Sequence, residues 1–193
     1  MRLKLVGLIV IAALAGCAKP LEVSSITEIK SGPGANGLDV YAGRRASGET
    51  VPEFSGEQIL DIRTFTTSDD NQMASQEFAG AQCEVKASNF IAEMVSPAKV
   101  RVPLYRDATS PLSVSCRMDG FQPKLVTTTV VNATRNDRYA MGANAGVIGL
   151  AVALTADAIA DAKQDTYKYQ PVRVEMSRTV TAPQKVAAAK DAR

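Results

Sequence analysis

Five short runs in this chain set apolar against polar residues with a period of two, and no other feature narrows the fold as much. In "AQCEVKA", Cys83 and Val85 share one face, with Gln82, Glu84 and Lys86 on the other. In "AKVRVPL", Val100, Val102 and Leu104 oppose Lys99, Arg101 and Pro103. In "PLSVSCRM", Leu112, Val114 and Cys116 oppose Ser113, Ser115 and Arg117. "QILDIRTFTT" alternates less cleanly, since Ile59 and Phe65 fall on the face of Asp61 and Arg63, and "KLVTTTVV" follows a Gly-Phe-Gln-Pro bend. Alternation of this kind marks half-buried strands, because successive side chains of a strand point to opposite faces. Turn signals between the runs predict a mainly β fold, a small β-sandwich, with its core over residues 58–135.

Composition limits the chemistry. The chain has 193 residues and neither His nor Trp. Without His it lacks the commonest general base and the commonest metal ligand. No Gly-rich loop has the spacing of a phosphate cradle. No catalytic, cofactor-binding or metal site is assigned. Removing Arg2 and Lys4, which lie in the first segment, from the 22 basic residues leaves 20, equal to the 20 acidic ones. A neutral chain offers nucleic acid no broad attraction.

The first segment, "MRLKLVGLIVIAALAGC", has a basic start, an apolar run and then small residues. That is the layout of an export signal, too short to span a membrane. Its end, Leu14-Ala15-Gly16-Cys17, resembles the lipobox of bacterial lipoproteins. The resemblance implies that residues 1–16 are removed and that Cys17 is lipidated and becomes the first mature residue. Stable attachment takes more than one acyl chain, each buried methylene contributing about 0.8 kcal/mol. No Asp follows Cys17, which in such lipoproteins points to the outer membrane, facing the periplasm.

Under this resemblance Cys17 is taken by lipid, so Cys83 and Cys116 are the remaining pair, on inward faces and in an oxidising compartment. A disulfide between them is expected. The run Gly80-Ala81-x-Cys83, Ser96-Pro97-x-x-Val100-x-Val102, Leu112-x-Val114-x-Cys116 and Gly120-Phe121 resembles a group of Gram-negative lipoproteins. It is also similar to the PEGA-type β-sandwich repeat. The match covers residues 80–122, with Ser96 where Thr is usual and Phe121 where Tyr is usual. The resemblance implies a small sandwich in an envelope protein and leaves its activity open.

Residues 17–57 are rich in Pro and Gly and read as a tether with a strand or two, long enough to hold the domain away from the membrane. "SDDNQMASQ" reads as a loop. Its Asp69 and Asp70 are two possible cation ligands without a third.

"YAMGANAGVIGLAVALTADAIA" carries no charge from Tyr139 to Ala156. Gly142, Gly146, Gly149, Ala153, Ala156 and Ala160 recur at a mean spacing that matches the period of a straight α-helix. They predict one Gly/Ala-rich helix over 136–166, capped by Asp137, with a stripe that lets another backbone come close. Three readings compete: packing on the protein's own sheet, self-association through the stripe, and a membrane span. Asp157, Asp161 and Asp165 share one face and read as a solvated acidic end. A returning strand is expected within 167–180, with Val172, Val174 and Met176 on one face, and a tail over 181–193. The favoured function is a non-enzymatic envelope lipoprotein for structural or protein-interaction use. Its partners would be the membrane and an envelope protein or its own copies. The second is a periplasmic small-molecule or glycan-binding lipoprotein using the sandwich loops.

Overall fold

The computed structural model describes residues 19–23, 25–68, 71–144, 154, 155, 157, 160, 161 and 164–179. Cys17, the lipobox, Asp69, Asp70, Gly146, Gly149, Ala153, Ala156 and the 181–193 tail lie outside them.

The described fold is mainly β and sandwich-like. One sheet, A, runs β1 (Ile26–Thr27), β7 (Ala98–Leu104), β3 (Gly56–Ser68), β12 (Val172–Glu175), with β4 (Asn71–Phe78) paired to the far end of β3. The other, B, runs β2 (Lys30–Ser31), β6 (Phe90–Val95), β5 (Gln82–Lys86), β8 (Leu112–Arg117), β9 (Lys124–Thr128). A five-residue helix, α1 (Ala42–Ala46), precedes β3. A third pair joins β10 (Val130–Asn132) to β11 (Tyr167–Tyr169).

Register follows the period-two pattern. In sheet A, Leu60 opposes Val100 and Ile62 opposes both Ala98 and Val172. In sheet B, Cys83 opposes Cys116, and Val85 opposes both Ala92 and Val114. These inward faces meet in one apolar core. A one-residue slip would turn every one of these side chains to water, so burial itself holds the register. Cys83 and Cys116 form the disulfide, directly across the β5–β8 pair.

The residues that carry the family resemblance are turn and core positions. Gly80, at φ +100°, donates its N–H to the Ser96 carbonyl, and the Ser96 N–H donates to the Ala81 carbonyl, both at 2.8 Å. Only glycine enters that backbone region without strain. The Ser96 hydroxyl is hydrogen-bonded to Thr64 Oγ1 at 2.7 Å in the buried interior. Phe121 stacks on Phe78 at 4.8 Å, and the bend at Gly120 receives the segment that follows β12, the Thr179 N–H donating to the Gly120 carbonyl.

The returning strand is present with the expected face: Val172, Val174 and Met176 are all buried. It is an edge strand of sheet A, as Pro171 suggests. Of the stretch read as a loop, the described residues from Asn71 on belong instead to β4, antiparallel to β3. The 17–57 region is no free tether where it is described. β1 pairs with β7, β2 pairs with β6, and the segment before them is fastened to sheet A.

Candidate functional site: a clasped arm between β10 and β11

β10 and β11 pair antiparallel, Asn132 opposite Tyr167, and the uncharged stretch is the excursion between them. The excursion begins with α2 (Ala133–Asn144). Its N-cap is Asn132, whose Oδ1 accepts the Arg135 N–H at 2.8 Å. This corrects the expectation that Asp137 caps a helix starting near Arg138. Asn is among the strongest capping residues because its short side chain reaches an otherwise unpaired N–H of the first turn. Two further bonds close the base, from the Ala133 N–H to the Thr166 carbonyl and from the Thr166 N–H to Thr134 Oγ1.

Above this base sits a charge network. Arg138 donates to Asp157 at 2.7 Å and to Asp165 at 2.5 Å. Asp157 also accepts from Arg135 at 2.8 Å and from the Tyr139 hydroxyl at 3.0 Å. Asp165 also accepts from Asn132 Nδ2 at 2.6 Å. The side chains of Asp157 and Asp165 are only 7% and 8% exposed. Carboxylates so covered persist as charges only with partners of this kind. The hydrogen bond from Arg135 is the main cause holding the Asp157 carboxyl below its ordinary value, with Tyr139 and Arg138 acting in the same direction.

This geometry overturns the single straight helix. At 1.5 Å per residue, Arg138 and Asp157 would stand about 28 Å apart on one helix, several times the reach of an arginine side chain. Their contact at 2.7 Å rules out a single straight helix running through both residues. Of the six small residues, the two described are Gly142, in α2, and Ala160, in a bend. Asp157 and Asp165 are also not a solvated acidic end but the inner side of the clasp. Two large apolar side chains are exposed there among the described residues, Met141 at 68% and Leu154 at 52%. Among the described residues no helix is long and apolar enough to cross a membrane.

The clasp residues Arg135, Arg138 and Tyr139 carry no sequence assignment, yet a signal exists. An uncharged run bracketed by Arg135-x-x-Arg138 on one side and by Asp157 and Asp165 on the other is the charge pattern of a hairpin closed at its base.

Sheet B offers a different surface. A polar groove of about 470 Å³ on its outer face is lined by Gln82, Glu84, Glu93, Val95, Ser115 and Arg117. Among the described residues no three His, Cys, Asp or Glu side chains group as metal ligands. No protein-family model, no curated protein and no solved structure matches the chain.

Proposed function

We propose that this chain is a non-enzymatic cell-envelope lipoprotein, anchored by lipid at Cys17 in the outer membrane and facing the periplasm. Its disulfide-stapled sandwich is a scaffold, and the clasped arm is the element that meets another envelope protein or a second copy. The clasp is the observation that carries this reading. Two covered carboxylates, Asp157 and Asp165, are fully engaged in holding the legs together, so they are occupied by structure rather than chemistry. Beyond them the chain places no charge, and the described side chains there include exposed Met141 and Leu154. An uncharged stretch whose described side chains include large apolar ones in water has the composition of an interface core.

The test is crosslinking in intact cells with the full chain, comparing wild type with Met141→Asp/Leu154→Asp. Both residues are exposed, so the fold tolerates the change. Loss of crosslinked species with unchanged thermal stability is the expected result. Identical crosslinks in the two proteins would remove the arm from the interaction.

The groove on sheet B favours a second reading, a small-molecule or glycan-binding lipoprotein. Its amide, carboxylates, hydroxyl and guanidinium suit a hydroxyl-rich ligand. A ligand bound only by the native state raises its melting temperature, so a thermal-shift screen that finds no stabilising sugar or metabolite counts against this reading.

A further inference from the structure

The chain is fastened to the domain almost immediately after Cys17. The Leu21 N–H donates to Glu77 Oε2 at 3.0 Å, and the Leu21 carbonyl accepts from Arg63 at 3.0 Å. Arg63 and Glu77 are themselves paired at 2.6 Å, and Arg63 also holds Asp61 at 3.0 Å. Their side chains are only 20% and 13% exposed, so this clip lies beneath the segment it holds. Five residues on, Ile26 is paired with Lys99 in β1. Arg63 and Glu77 belong to the outer face of sheet A, opposite the buried face of Leu60, Ile62 and Thr64.

Resting on the reading of Cys17 as the lipid anchor, we propose that the outer face of sheet A is the membrane-facing surface of this protein, with lipid headgroups as its partner. Leu21 stands four residue steps from Cys17, and a fully extended chain spans at most about 14 Å over that length. The acyl chains therefore leave the protein beside the Arg63–Glu77 clip. The outer face of sheet B lies on the far side of two sheets packed about 10 Å apart. The same outer face of sheet A carries the exposed apolar side chain of Ile59, with Leu21 and Ile26 exposed along the fastened segment. Its arginines are already paired, Arg63 with Asp61 and Glu77, Arg101 with Glu28 and Glu57, and Arg173 with Glu175. The short leash, rather than attraction to anionic lipid, sets the orientation, so it holds on neutral vesicles.

The experiment uses the lipidated full chain reconstituted into phosphatidylcholine vesicles doped with a nickel-chelating lipid. Nitroxides are placed at Glu175→Cys, which opposes Phe65 on the outer face of sheet A, and at Leu125→Cys, exposed on the outer face of sheet B. Nickel at the lipid surface is expected to relax the Glu175→Cys label several-fold more strongly than the Leu125→Cys label. Adding Arg63→Ala and Glu77→Ala is expected to erase that difference. Equal relaxation at the two labels, or a difference that survives loss of the clip, overturns the proposal. Vesicle flotation separates it from the anchor itself. A wild-type chain that fails to float removes the anchor and the orientation together, while a floating chain with equal labels removes the orientation alone.

Discussion

Arg138 and Asp157 meet at 2.7 Å although they stand nineteen positions apart in the chain. The contact rules out one straight helix through both residues, and it makes acid the solvent condition that loosens the arm. Asp157 has an ordinary value of 3.8 and is held below it in the folded protein, first by the hydrogen bond from Arg135. A carboxyl depressed on folding adds stability that is complete above its unfolded value and is lost as pH falls through its folded one. Amide exchange in α2, corrected for its intrinsic pH dependence, should be flat above about pH 5 and rise as Asp157 protonates. Asp157→Asn should show the faster exchange already at neutral pH, with the strands of both sheets unaffected. A wild-type arm whose corrected exchange is unchanged down to strong acid would contradict the clasp.

The pairing of Cys83 with Cys116 closes a loop of 33 residues. By the chain-entropy argument such a loop contributes about 4 kcal/mol, an upper-end figure because strain and residual structure in the unfolded chain reduce it. Cys83→Ala/Cys116→Ala should lower the urea midpoint with a loss approaching that size. Non-reduced mature protein should titrate with no free thiol.

Thr64 and Ser96 share a hydrogen bond inside the sandwich, and Thr64 also donates to the Phe78 carbonyl at 2.8 Å. Thr64→Val keeps the shape and removes the hydroxyl, leaving buried Ser96 short of a partner. Such a loss costs about 1–3 kcal/mol. Thr64→Ser should recover most of it. In a double-mutant cycle with Ser96→Ala, measured by urea unfolding, the two changes should be less than additive.

The strand faces were legible because burial on one side of a sheet forces strict alternation, and Val85, Val100, Val114 and Val174 all obey it. β4 was not: "NQMASQEF" has few β-branched residues, and its strand is held by pairing to β3 rather than by its own pattern. β1 and β2 have two residues each, too few to show any period. The Leu21 clip depends on Arg63 and Glu77, both distant in sequence, so nothing local announces it. In the arm, the spacing of small residues matched a straight helix, but spacing alone does not say where a helix stops. The clasp is written in the charges at either end, Arg135 and Arg138 against Asp157 and Asp165.

The mass of the mature N-terminal peptide, isolated from the membrane fraction of cells making the full chain, tests the central claim of a lipid-anchored envelope protein most directly. A peptide beginning at Cys17 that carries diacylglycerol and an additional acyl chain, lost in Cys17→Ser, is the predicted result. A retained Met1, or a mature start at any residue with an unmodified Cys17, would contradict it.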